Sequence, residues 1–113
     1  MSASAFSLSA AIPTPGFDVI QGAPAIGGLR NPELKHYFCP RCMSWMFTRF
    51  LPDFVNVRVT MLDDTSWFVP FMETWTSEKL PWATTPAVHS YPGFPPMEDF
   101  GRLSAEFVST RLT

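Results

Sequence analysis

The chain has 113 residues, of which 46% are hydrophobic and 16% are charged, and its formal net charge is −2. The length suits one domain, and so apolar a chain is expected to fold. Without a basic surplus, nucleic-acid binding is disfavoured, and no apolar stretch approaches the ~20 residues that a membrane helix needs. We therefore expect a single domain over residues 1–113 that binds neither nucleic acids nor membranes.

Short segments with alternating apolar and polar residues dominate the chain. This period is typical of half-buried strands, and it is clearest in residues 55–62, where valines alternate with polar side chains. Twelve prolines interrupt most segments and exclude long helices over most of the chain. The predicted strands are residues 5–12, 17–20, 35–38, 45–50, 55–62 and 67–75. Residues 21–32 and 80–96 are predicted to be turns and irregular segments.

One helix is predicted, over residues 97–109. Phe100, Leu103 and Phe107 recur at three- and four-residue spacing, which is typical of an amphipathic helix. Many short strands and one terminal helix predict a mainly β fold with antiparallel pairing. The residues predicted to form its core are Phe6, Phe38, Trp45, Phe47, Val57, Val59, Met61, Phe68, Trp75 and Phe107.

The motif with definite chemistry is Cys-Pro-Arg-Cys at residues 39–42. Two thiolates at this spacing on a tight turn can face one metal ion, and zinc takes four such ligands in a tetrahedron. The chain has two cysteines in all, so Cys39 and Cys42 make half of a zinc site. Strand alternation points His36 away from the thiol of Cys39, and the sequence assigns no role to His89.

Other interpretations of the cysteine pair stay open. A redox dithiol wants a strand before the pair and a long helix after it, whereas the segment after Cys42 stops at Pro52. Two ordinary buried thiols are the remaining alternative. Two cysteines fit a reducing compartment, and residues 1–12 lack the charged start and unbroken apolar stretch of a signal peptide. We therefore expect a cytoplasmic protein.

An acidic pair, Asp63-Asp64, suggests acid–base chemistry at first sight. Short carboxylates at the end of a strand bond to their own backbone, however, and are far more often turn formers. We interpret the pair as part of a turn.

The cysteine segment resembles a known family. Residues 36–42 read His-Tyr-Phe-Cys-Pro-Arg-Cys, with Trp45 and Phe47 beyond them. They are similar to the second cysteine motif of the glutathione-dependent formaldehyde-activating enzyme family, which also includes centromere protein V. The order and spacing of further segments agree from residue 1 to about residue 82, namely residues 4–7, Gly22, residues 55–57, residues 60–64, Pro70 and residues 73–82.

The resemblance implies a β-tent zinc-binding fold with two zinc ions. In this family a C-x-C pair completes a structural zinc site with the later C-x-x-C, and a separate C-x-C-x-x-C cluster holds the catalytic zinc. The implied activity is that of a carbon–sulfur lyase that joins glutathione to formaldehyde. Only Cys39 and Cys42 carry over, as half of the structural site.

The chain also departs from the family pattern, because both upstream cysteine groups are missing. We expect Met1 to be an internal methionine of a truncated domain, which would leave out the N-terminal strands and make this chain inactive. Exposed sheet edges would favour a homodimer, in which two cysteine pairs could pool into one four-thiolate site. Met43 stands where the family usually has Gly, at a position that favours positive φ. Met adopts such a φ only at a cost in energy, so we expect the backbone of the zinc-binding turn to be strained there.

Two other classes of function stay open: a non-catalytic β-tent module that binds a protein partner, and a small dithiol redox or metal-handling protein. The partners that the resemblance implies are a small thiol such as glutathione and an aldehyde. Cationic side chains would bind the carboxylates of glutathione, and the sequence does not rank the candidates, which are Arg30, Arg41, Arg49 and Arg58.

Overall fold

The computed structural model describes residues 4–28 and 33–111. The chain divides into two compact units, Met1–Phe68 and Val69–Thr113. The first unit contains a five-stranded antiparallel sheet, and the second contains a two-stranded parallel pair and the C-terminal helix. The prediction of a small, mainly β fold with one terminal helix is therefore confirmed.

The sheet of the first unit has the order β1-β5-β4-β3-β2, and all its pairs are antiparallel. Its long central strand, β4, is flanked by β3 and β5, so residues on β4 are packed from both sides. The strands are β1 (Ser9–Pro13), β2 (Ala25–Gly27), β3 (Lys35–Phe38), β4 (Trp45–Leu51) and β5 (Phe54–Arg58).

The core of this unit lies on one face of the sheet around Phe47. Tyr37 and Val57 lie directly opposite Phe47 on the two neighbouring strands, so the three side chains share a face. The Tyr37 ring stacks on the Phe47 ring with centroids 4.6 Å apart, and the Phe17 ring packs at 4.8 Å. Val55, two residues before Val57, is 1% exposed and completes the cluster.

The predicted strand at residues 17–20 is wrong, because these residues have no regular secondary structure. A 3-10 turn at Thr14–Gly16 follows β1 and redirects the chain. Phe17 then packs on Phe47, while Ile20 is 91% exposed. The apolar residues of this segment therefore do not form the face of a strand. One of them, Phe17, packs its ring into the core.

Strand β2 lies in a segment that was predicted to consist of turns. It pairs with β3 at the edge of the sheet, where Gly27 lies opposite His36. A Cβ atom at Gly27 would meet Cδ1 of the Phe38 ring at 2.9 Å. The glycine that signals a turn in the sequence is therefore needed here for the close approach of two strands.

The strand predicted at residues 55–62 ends earlier, at Arg58, and continues as a 3-10 turn over Val59–Met61. The N–H of Val59 donates to the Leu8 carbonyl at 3.2 Å, and Val59 stays buried. The helical turn then breaks the alternation, so Met61 is 43% exposed instead of buried.

The second unit is built around a short parallel pair, β6 (Met72–Glu73) and β7 (His89–Ser90), and helix α1 (Phe100–Arg111). The prediction of an antiparallel strand over residues 67–75 is wrong in both extent and direction. The Glu73 carboxylate accepts hydrogen bonds from the hydroxyls of Ser90 at 2.7 Å and Thr85 at 2.8 Å. These bonds tie the two strands and the loop between them together.

The predicted helix is confirmed, with Met97–Asp99 forming a 3-10 turn ahead of α1. Leu103 is buried, and the Phe107 ring packs edge-on against Phe71 at 5.5 Å. His89 Nε2 lies 2.9 Å from Oε2 of Glu106, which attaches α1 to β7. The helix is thus held by both apolar and polar contacts within its own unit.

The predicted core is correct in part. Phe47, Val57 and Val59 are buried, and four others are half-buried, namely Phe38, Trp45, Phe68 and Phe107. Phe6, Met61 and Trp75 are exposed. Phe6 precedes the start of β1, and Trp75 has a left-handed backbone with φ 57° at the start of a 3-10 turn, so neither follows the alternation of a strand.

Candidate functional site

Residues 39–44, which we call the cysteine turn, connect β3 to β4. The N–H of Cys39 donates to the Ser44 carbonyl at 2.9 Å, and the N–H of Met43 donates to the Cys39 carbonyl at 2.8 Å. Cys39 is half-buried and Cys42 is exposed. Two flanking strands and two backbone hydrogen bonds therefore hold the two thiols on one tight turn.

The surroundings of Cys42 favour its thiolate. The Ser44 hydroxyl lies 3.2 Å from its Sγ. Hydrogen bonds from the Ser44 side chain and backbone, and then from the Cys39 side chain, hold the pKa of Cys42 below its ordinary value. The thiolate is the form that binds metal ions.

Met43 has φ 62°, in the left-handed region, as expected at the position after the second cysteine. A side chain in this region places its Cβ close to the neighbouring carbonyl oxygen, at a cost of roughly 1–2 kcal/mol. The Met43 side chain is 63% exposed, so its packing offsets little of this strain energy. The turn therefore keeps a strained residue where glycine would be relaxed.

We expect Met43→Gly to raise the free energy of unfolding by about 0.5–1 kcal/mol, because it removes the Cβ strain and loses little buried surface. Chemical denaturation followed by circular dichroism measures the change. Met43→Ala is the matched control, since it shortens the side chain but keeps Cβ, and it should give no such gain. Equal effects of the two substitutions would contradict a strained backbone at Met43.

The donor set of the cysteine turn fits half of a tetrahedral zinc site. Among the described residues, no group of three or more His, Cys, Asp and Glu side chains could hold a metal ion. His36 is engaged with Thr48, and His89 belongs to the second unit, where Glu106 binds it. A tetrahedral zinc site at Cys39 and Cys42 would therefore need its other ligands from outside the described residues.

Next to the cysteine turn lies a polar and aromatic group that the sequence did not reveal, which we call the Trp45 cluster: His36, Trp45, Thr48 and Arg58. The Thr48 hydroxyl accepts a hydrogen bond from Trp45 Nε1–H at 2.9 Å and lies 2.8 Å from His36 Nδ1. The His36 and Trp45 rings meet edge-on at 5.3 Å. The Arg58 guanidinium lies over the Trp45 ring, 4.5 Å from its centroid.

A register shift between β3 and β4 assembles this cluster. His36 pairs with Thr48 and Tyr37 with Phe47, but Phe38 pairs with Trp45, so β4 contains one extra residue there. Such a bulge re-aims the side chains next to it. Trp45 consequently reaches Thr48 and His36, although uninterrupted alternation would put Trp45 and Thr48 on opposite faces.

The buried His36 should make the protein sensitive to mild acid. Burial lowers the pKa of His36 from its ordinary 6.5, so the unfolded chain takes up the proton first. The stabilisation is complete above about pH 6.5 and falls as the pH drops below it, by up to ~1.4 kcal/mol per pH unit. Denaturation curves between pH 5 and 7 should show this slope in the wild type and a smaller slope in His36→Gln. Identical slopes in the two proteins would contradict it.

The structure also gives positions for the acidic pair and for two of the other candidate arginines. The Asp64 carboxylate accepts hydrogen bonds from the Ser66 N–H at 3.0 Å and from its hydroxyl at 2.6 Å, which lowers the pKa of Asp64 and confirms a turn. Arg49 lies over the rings of Phe17 and Phe47. Arg41 is exposed on the cysteine turn, and Arg30 is outside the described residues.

The segment after the cysteines bears on the redox interpretation. That interpretation needs a long helix after the pair, whereas Trp45–Leu51 is strand β4. The cysteine turn thus joins two antiparallel strands, an arrangement suited to a metal knuckle.

The fold and the site define a class of protein: a small, mainly β protein with a pair of thiols on the turn between two strands. The family model of the glutathione-dependent formaldehyde-activating enzyme matches residues 1–78, which include the whole five-stranded sheet and the cysteine turn. The chain belongs to this family, so a formaldehyde-activating type of function holds at family level. Neither the curated proteins nor the solved structures contain a match to the chain. No helix among the described residues is long and apolar enough to cross a membrane.

Proposed function

We propose that the protein acts in carbon–sulfur bond chemistry between a small thiol, such as glutathione, and an aldehyde, with Cys39 and Cys42 as half of a structural zinc site. The observation that carries the proposal is the position of the two thiols on one hydrogen-bonded turn inside the segment that matches the family model. Zinc, when bound, would clamp the β3–β4 connection by joining these thiolates to further ligands. The cytoplasmic location that we propose would keep these thiols reduced.

Residues of this chain position the two thiols of the half-site and stabilise a thiolate. The two strands set the spacing of the thiols, and Ser44 stabilises the Cys42 thiolate through its hydroxyl and backbone. Two thiolates do not complete a tetrahedron. The other two ligands would come from the same turn of a second copy or from another protein chain.

Catalysis needs more than this half-site. The family's catalytic zinc uses a separate three-cysteine cluster, and this chain has no third cysteine. We infer that the 113-residue chain does not accelerate the condensation by itself and that a variant to which both cysteine groups were added would.

Elemental analysis paired with a condensation assay tests this function. After size-exclusion chromatography, we expect a zinc-free monomer, or a dimer with one zinc per two chains. Glutathione and formaldehyde, followed by NMR, should condense at the uncatalysed rate with this chain and faster with a variant to which both cysteine groups are added. One zinc per monomer with turnover would show that other side chains replace the missing cysteines and would overturn the half-site proposal.

A further inference from the structure

We propose that Arg58 binds a carboxylate group of the small thiol substrate, so that the Trp45 cluster forms an anion subsite beside the cysteine turn. The inference rests on the proposed function for the nature of the substrate, and on the structure for the residue.

The guanidinium of Arg58 is held in place but lacks an anion. It lies over the face of the Trp45 indole, which orients its plane. Its Nη1 atom is buried and has no hydrogen-bond partner. No ion pair is found between Arg58 and a carboxylate of another described residue; the pairs found between described side chains are His89–Glu106 and Arg102–Asp99.

A part-buried cation without an anion is unfavourable, because it loses some of its water and gains no compensating charge. In Arg58, burial lowers the pKa of the guanidinium, and no acidic neighbour opposes this shift. A carboxylate that binds the accessible part of the guanidinium would supply the missing charge, although the buried Nη1 atom itself lies out of its reach. The side chain as a whole is only part-buried, so a small anion can approach it.

The lack of a partner for its buried Nη1 atom separates Arg58 from the other described arginines. Arg49 lies over two aromatic rings, and Arg102 pairs with Asp99 at 3.5 Å. Arg41 is exposed to solvent, which competes with any anion. Among the described residues, the Nη1 atom of Arg58 is the one buried side-chain nitrogen or oxygen without a partner.

The position of Arg58 also suits a thiol that carries carboxylates. Its stacking partner Trp45 starts β4 directly after the cysteine turn and pairs with Phe38, the residue before Cys39. An arginine fork binds a carboxylate through two parallel hydrogen bonds. Glutathione has two carboxylates, so one of them can bind Arg58.

NMR on the full 15N-labelled chain tests the subsite. S-methylglutathione, which has both carboxylates and no free thiol, is the probe, and its diethyl ester is the matched ligand without carboxylates. The Arg58 Nε–H and Trp45 Nε1–H signals should shift with the acid, and the ester should bind at least about tenfold more weakly. Arg58→Gln should lose about tenfold in affinity, whereas Arg102→Gln, which removes a charge elsewhere, should change less than twofold.

Binding of the acid and the ester with equal affinity, no binding of the acid, or full affinity in Arg58→Gln would overturn the subsite. If Arg58→Gln failed to fold, the acid–ester comparison on the wild type would still decide. The zinc content and condensation rate judge the proposed function separately, so either proposal can fail while the other stands.

Discussion

Replacing Phe47 with alanine should lower the free energy of unfolding by about 3–5 kcal/mol. Phe47 is 5% exposed and lies between Tyr37 and Val57 on the neighbouring strands. The substitution removes the ring on which Tyr37 stacks and Phe17 packs, and it leaves a cavity that the strands cannot close, because their backbone pairing fixes their spacing. Chemical denaturation followed by circular dichroism measures the loss.

A matched substitution on the same unit separates core packing from a general effect of shortening a side chain. Ile20 is 91% exposed, so Ile20→Ala should change stability by no more than about 0.5 kcal/mol. If Phe47→Ala also fell within this range, the placement of β4 against the core face would be wrong.

Cys39→Ser should weaken the binding of a thiolate-preferring metal by about 100-fold or more. A structural zinc site gains roughly 10–16 kcal/mol from its full ligand set. In a four-thiolate site shared by two copies, Cys39→Ser removes two of the four thiolates, which together account for at least the ~2.7 kcal/mol that this factor represents. Titration with Co²⁺, which gives a sulfur-to-metal charge-transfer absorption, measures the affinity and the number of sulfur ligands. Cys42→Ser should have a similar effect.

Ser44→Ala is the control for this prediction, because it removes a hydrogen bond to the Cys42 sulfur but keeps both thiols. A neighbour of a ligand usually changes metal affinity by about 10–100-fold, so its effect should be the smaller one. If Co²⁺ bound the wild type and Cys39→Ser equally, the cysteines would be ordinary thiols of the turn and the zinc half-site would be refuted.

Local sequence patterns predicted the elements whose residues alternate and whose ends carry a clear signal. β3 matches its predicted residues 35–38, and β4 and the terminal helix were found within a few residues. The positive φ of Met43 was also predictable, because it depends on the geometry of a two-cysteine turn and not on distant contacts. These features are governed by interactions within a few positions along the chain.

The errors occur where distant residues decide the backbone. β2 forms because Gly27 can approach Phe38, and β5 ends at Arg58, with Val59 bonded to Leu8. The parallel pairing of β6 with β7 depends on the path of the loop between them, which hydroxyl bonds to Glu73 secure. None of these contacts leaves a periodic trace in the sequence.

The candidate site shows the same division. The sequence alone determined the thiol pair, its spacing on a turn and its family, because motif chemistry depends on residues that are adjacent in the chain. Only the tertiary structure assembled the Trp45 cluster and distinguished Arg58 from the other arginines. The physical reason is the bulge in β4, which shifts the register by one residue and brings side chains from three strands together. Register depends on the pairing of whole strands, and burial of a charge depends on what those pairings enclose.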